Sequence, residues 1–156
     1  MWLERLITTA FVWQVGDAVY NFFRTERGMA KNNRVMVSFA IEDKTYRDFL
    51  VGQAKNNKSS FEFVDMSVKQ PWDEKWKTNC RTRIKGCDGV IALVSKNTAK
   101  AEGALWEVKC AKEEKVPVRG FYCTPDNRPA SLPSEFDGVR VVSWSWDNIA
   151  SFINSL

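Results

Sequence analysis

Residues Val90 to Glu114 read VIALVSKNTAKAEGALWEVKCAKEE, and the parsing of this stretch decides the fold. Val90 to Val94 is an uninterrupted apolar run, the pattern of a strand covered on both faces. The polar segment Ser95 to Gly103 ends it. Ala104, Leu105, Val108 and Ala111 then recur at helical spacing and define a core-facing arc. A strand feeding a helix through a loop is half of a parallel strand-helix-strand unit. Glu107 falls about 40° from Ala111 at the rim of that arc, so its carboxylate is expected to be half shielded.

The pattern repeats on both sides of this stretch. Arg34 to Ala40, RVMVSFA, is a β-rich run, followed by Glu42 to Asn56 with Tyr46, Phe49, Leu50 and Ala54 at helical spacing. Phe61 to Asp65, FEFVD, predicts a second strand. A helix beginning near Trp72 follows, with Trp72, Trp76, Cys80 and Ile84 as its stripe, and Gly86 and Gly89 bracket the turn into Val90. Downstream, Val116 to Cys123 predicts a fourth strand and Val139 to Val142 a fifth, separated by the proline-rich loop TPDNRPASLP. Trp146, Ile149, Ala150, Ile153 and Leu156 form the stripe of a closing helix. Five strands alternating with helices predict a doubly wound α/β domain over residues 34–156, with a flavodoxin-like parallel sheet in the order 2-1-3-4-5. A ligand crevice is expected beyond the carboxyl ends of strands 1 and 3. The loops Phe39 to Lys44, Met66 to Trp72 and Ser95 to Gly103 would frame it.

Residues 1–28 form a separate element. Leu3, Ile7, Ala10, Phe11, Ala18 and Phe22 share one helical stripe, interrupted by Glu4, Arg5, Asp17 and Asn21. The run between Arg5 and Asp17 is too short to span a bilayer, which takes roughly 20 residues. No small-x-small cleavage site follows it. An amphipathic helix docked on this domain or on a neighbouring subunit is the expected reading, with membrane contact by residues 1–24 as the alternative.

Composition narrows the chemistry. The 156 residues carry 23 basic and 19 acidic side chains, a formal charge of +4, too small an excess to indicate a nucleic-acid partner. Four cysteines without a CxxC pair and no histidine give no zinc pattern, so no metal is expected. Free thiols in a reducing cytoplasm follow. The absence of histidine also removes Ser-His and Cys-His nucleophiles, leaving carboxylates, Lys, Tyr, Cys and Ser. A flavin phosphate would meet Glu42 and Asp43 after strand 1, where a Ser/Thr/Gly-rich loop is needed. A phospho-acceptor domain needs an aspartate at the end of strand 3, where Val94, Ser95 and Lys96 stand. Neither GxxxxGK[ST] nor GxGxxG occurs. On periodicity alone, a rim glutamate paired with Lys96 or Arg83 is the ordinary reading of Glu107.

The order VMVSFAIEDKTYRDFL, FEFVDMS, VIALVSKNT, ALWEVKCA resembles the TIR superfamily, and most closely the TIR-like domain of the Thoeris anti-phage B proteins, over residues 34 to 150. Val37, Ser38 and Phe39 with Asp43 look like the first TIR box. Asp65 and Ser67 look like the loop after strand 2, and Trp106-Glu107-Val108 like the segment holding the family's catalytic glutamate. The family often carries a tryptophan four residues before that glutamate, and here the position is Gly103.

The resemblance implies an NAD glycohydrolase or ADP-ribosyl cyclase with Glu107 as catalytic residue. NAD would be its substrate, no cofactor would stay bound, and the product would be an ADP-ribose-type signal. Ser38, Phe39, Ala40, Asp43, Asp65, Ser67, Trp72, Lys75 and Trp106 are the candidate substrate-binding residues, with some of the basic run Lys69, Lys75, Lys77, Arg81, Arg83 and Lys85 facing the pyrophosphate and Phe39 or Trp72 stacking on a ring. It further implies a cytoplasmic protein that assembles into a homo-oligomer on activation, a phage-derived trigger, and a downstream effector reached through the signal. A non-catalytic TIR-type adaptor acting through protein contacts is the alternative.

Overall fold

The computed structural model describes residues 33–57, 61–64 and 74–156. The amphipathic element 1–28 and the segment holding Asp65, Ser67 and Trp72 lie outside them. Five strands are formed by Asn33–Ser38 (β1), Phe61–Val64 (β2), Gly89–Val94 (β3), Val118–Tyr122 (β4) and Arg140–Ser143 (β5). They make one sheet in the order β2-β1-β3-β4-β5, with every neighbouring pair parallel. The helices are Lys44–Asn56 (α1), Glu74–Lys85 (α2), Glu102–Glu113 (α3) and Trp146–Asn154 (α4). The sheet order and helix alternation are those the sequence predicts. The ends differ by a residue or two where pairing stops before the apolar run does, as at Val116, Ala40 and Cys123.

Alternation along the central strands assigns the helices to faces. Val35, Val37, Ile91, Leu93 and Phe121 point to one side and pack with Leu50 and Ala54 of α1 and Ile149, Phe152 and Ile153 of α4. Met36 and Val90 point to the other side, against Cys80 and Ile84 of α2 and Cys110 and Ala111 of α3, where Ala92 and Val94 meet Val108 and Phe136. All six residues of β3 are buried, which is why its sequence is continuously apolar rather than alternating. Ser145 begins α4 as an N-cap, its side chain accepting from the Asn148 backbone N–H at 3.1 Å.

All four cysteines are free and buried. Burial, with the nearby charge of Asp43, pushes the Cys123 thiol up to about 12. Cys80 and Cys110 are also raised chiefly by burial, which makes these thiols poor nucleophiles. Among the described residues, no helix is long and apolar enough to cross a membrane.

One backbone feature goes against local propensity. Gly52 sits inside α1, where glycine costs about 0.5–1 kcal/mol relative to alanine. A Cβ placed there meets nothing within 4 Å.

Candidate active site

The parallel arrangement brings the carboxyl ends of β1 and β3 together with the amino-terminal turns of α2 and α3 at one end of the sheet. Ser38, the last residue of β1, is 1% exposed. Its hydroxyl donates to the Ala104 carbonyl at 3.2 Å, tying the first turn of α3 to the end of β1. Glu107 follows three residues later on the same side of the helix. It is 4% exposed, not half shielded as the helical arc predicts. A wheel drawn for α3 alone leaves out its neighbour α2, whose Cys80 feels the Glu107 charge.

That neighbour is held closely. The Trp76 ring of α2 lies 5.3 Å from that of Trp106, tilted by 57°. Arg81 places its guanidinium over Trp106 at 5.6 Å and pairs with Glu113 at 2.8 Å and Glu114 at 2.5 Å. Its hydrogen bond holds the Glu113 carboxyl below the usual range. Glu107 lies within electrostatic reach of Cys80 on α2: after burial, its charge is the next contribution raising that thiol. The carboxylate therefore stands in the wedge between β1, α2 and α3. Trp106, expected against a ligand, is half-buried, with its ring in contact with Trp76 and Arg81.

A second carboxylate is buried near the crevice floor. Asp43, 1% exposed, accepts a hydrogen bond from the Ser95 hydroxyl and another from the Asn97 side-chain amide at 3.1 Å. Ser95 Oγ in turn accepts from the Asn97 backbone N–H at 3.0 Å, and the Ser95 backbone N–H donates to Thr98 Oγ1 at 2.8 Å. The loop after β1 is thus braced against the loop after β3. Both Asp43 oxygens face protein donors, so its observed role is to hold the two loops that frame the crevice. Ala40 is buried, and its carbonyl accepts from the Asp43 backbone N–H at 2.8 Å. Phe39 packs against the core shared by α1 and α4, with the Arg47 guanidinium 5.3 Å over its ring. Lys75 is exposed on the first turn of α2. Among the described residues, no group of three or more His, Cys, Asp or Glu side chains is placed to hold a metal ion.

Sequence reasoning named Glu107 and Asp43 but missed Ser95 and Asn97, because nothing local marks them as partners of a residue more than fifty positions away. It also treated Trp76 only as part of an apolar stripe. Among the described residues the buried Trp76 indole Nε1 has no hydrogen-bond partner, and a desolvated donor costs about 1–3 kcal/mol. Trp76→Phe keeps an aromatic ring beside Trp106 and removes the orphaned N–H. The variant is expected to melt within a few degrees of wild type or above it; a fall of about 10 °C would mean that the N–H has a partner in solution.

The sequence model of the family described as "Thoeris protein ThsB, TIR-like domain" matches residues 36–128, from β1 to the loop after β4, with Glu107 inside the match. The chain belongs to this family. Among solved structures, this ThsB-family chain is similar to the TIR domain of the Toll-related receptor TRR-2 from Hydra magnipapillata. The two share 16% identity and a TM-score of 0.58, covering 76% of this chain and 96% of that one. It is also similar to a 2-deoxyribosyltransferase from Bacillus psychrosaccharolyticus, at 13% identity and a TM-score of 0.51, covering 74% and 89%. At such identities both likenesses speak for the fold alone. No match was found among curated proteins.

Proposed function

We propose that this chain cleaves the nicotinamide-ribose bond of NAD and converts the remainder into an ADP-ribose-type signalling nucleotide, open-chain or cyclic, in anti-phage defence. The observation that carries the reading is a carboxylate, Glu107, 4% exposed and three residues after the Ala104 carbonyl that Ser38 holds at the end of β1, in a chain of the ThsB TIR-like family. The fold is also compatible with chemistry at a sugar-base bond, since the Bacillus protein named above is a deoxyribosyltransferase used to make nucleosides.

The chemistry asks little beyond that carboxylate. In NAD the nicotinamide ring nitrogen is already cationic, so it leaves as a neutral molecule with the bonding pair and requires no general acid. Positive charge then develops on the ribose as an oxocarbenium-like species. Glu107 would stabilise that charge electrostatically or trap C1′ as a glycosyl ester, as carboxylates do in glycoside hydrolysis. Water, giving up a proton to solvent, or a nucleophilic atom of the same ADP-ribose then forms the new bond at C1′; where the ester had formed, its C1′–oxygen bond breaks and Glu107 leaves as the carboxylate. Burial strengthens the electrostatic term, because a charge acts further where water is excluded.

The rest of the reading follows the family: a cytoplasmic protein, a phage-derived trigger, assembly into a homo-oligomer that residues 1–24 would assist, and an effector that senses the product. Its test is incubation of the concentrated or triggered protein with NAD, followed by mass spectrometry of the small molecules. Equal amounts of nicotinamide and an ADP-ribose-type product are expected. Silence with triggered, assembled protein, alongside partner binding that survives loss of Glu107, would establish the adaptor instead.

A further inference from the structure

On the opposite face of the sheet from Glu107, an open groove of about 670 Å³ runs between α1, the segment after β4 and Trp144 beyond β5. Gly52 lies along it. Three other glycines of the domain have a reason within the protein. A Cβ on Gly89 would come within 2.7 Å of Leu156, one on Gly120 within 2.7 Å of Val141, and Gly138 has a φ of +78°. Among the described residues Gly52 has neither constraint, since a Cβ there meets nothing within 4 Å. A helix-interior glycine that their packing does not require suggests close approach by something else.

The walls indicate what that is. Tyr46, Phe49 and Trp144 line the groove, and Phe49 remains 63% exposed. Two amides on its lining are fixed by their neighbours. Gln53 Oε1 accepts from the Trp144 indole at 3.2 Å, which leaves the Gln53 NH₂ to donate. Asn57 Nδ2 donates to the Gln53 main-chain carbonyl at 2.8 Å, which leaves Asn57 Oδ1 to accept. Among the described residues, no lysine or arginine lines the groove. The one formal charge among them, Asp48, is paired with Arg47 at 2.9 Å, so this lining offers no cation to compensate a phosphate or carboxylate.

We propose that this groove binds a flat, uncharged heteroaromatic ring carrying an amide-like donor and acceptor, lying against the α1 backbone at Gly52. The aromatic walls supply contact area, the Gln53 NH₂ and Asn57 Oδ1 read the polar edge, and the absent side chain at 52 lets the ring reach the helix. The site holds whether or not Glu107 cleaves NAD, because the two lie on opposite faces of the sheet.

Nicotinamide is a suitable probe, with nicotinic acid as the charged molecule of the same shape. Titrated into the full chain and followed by heteronuclear NMR, nicotinamide at up to tens of millimolar is expected to shift the Gly52, Gln53 and Asn57 amides and the Trp144 indole. Nicotinic acid is expected to shift them far less. Gly52→Ala should raise Tm by about 2–4 °C while weakening the probe, Gly52→Leu should abolish binding, and Gln53→Leu should weaken it about two- to tenfold. Glu107→Gln should leave these shifts unchanged. The proposal is overturned if nicotinamide does not bind, if its shifts map to the β1, α2 and α3 wedge and vanish with Glu107→Gln, if nicotinic acid binds equally well, or if Gly52→Leu binds like wild type.

Discussion

Glu107→Gln is expected to lower nicotinamide release from NAD by about 10³-fold while the protein folds as before. Glutamine has nearly the shape of glutamate, so the wedge between β1, α2 and α3 stays filled, and the Ser38 bond to the Ala104 carbonyl at 3.2 Å does not involve the altered atoms. What is lost is the charge. An amide neither balances a developing oxocarbenium nor forms a glycosyl ester, and removing a preorganised electrostatic partner in a shielded site typically costs about 10²–10³ in rate. Glu107→Asp separates charge from position. The shorter side chain keeps the carboxylate but draws it back, and a displacement of about 1 Å costs on the order of 10². The ranking wild type, then Asp, then Gln, with melting temperatures alike, is the expected result of a nucleotide assay paired with thermal melts. Equal product from the Gln variant at normal expression would remove Glu107 from the chemistry.

How far this site was readable in the chain depends on which contacts are local. Val90 to Val94 could be taken as a doubly covered strand because its burial is written in five consecutive residues, and the sheet order followed from the alternation of such runs with helical stripes. The stripe Trp76, Cys80, Ile84 was legible for the same reason, and the structure places Cys80 and Ile84 in one core cluster with Trp76 packed against it. Glu107 is marked by its motif, yet its 4% exposure is not legible there, since burial by elements other than α3 leaves no record in the periodicity of α3. Asp43 was legible as an acidic loop residue. Its engagement with Ser95 and Asn97, 52 and 54 positions away, was not, because a pairing of that kind exists only once the two strands lie side by side. Gly52 was passed over altogether. A glycine within a helical pattern reads as a mild defect until the empty space in front of it is seen.

The Asp43 brace supplies the second large effect, this time on stability. Ser95→Ala removes the hydroxyl donor from a carboxylate that is 1% exposed, and water does not replace it without opening the loop. A hydrogen bond to a charged group contributes about 1.5–3 kcal/mol, and a buried acceptor left short of a donor keeps its desolvation cost. A loss of about 2–3 kcal/mol is therefore expected in denaturant melts of Ser95→Ala. In an Asp43→Ala background the same change should cost much less, since the acceptor it served is gone, giving a coupling of about 1.5–3 kcal/mol in a double-mutant cycle. Additive costs would show that the two loops are held by packing rather than by this bond. Ser95 and Asn97 also begin the connection to α3, whose first turn Ser38 fixes against β1. Loosening the brace should therefore disturb the placement of Glu107 as well, so that Ser95→Ala loses NAD turnover beyond its fraction unfolded, whereas a core truncation on the α4 side such as Ile149→Val loses only stability.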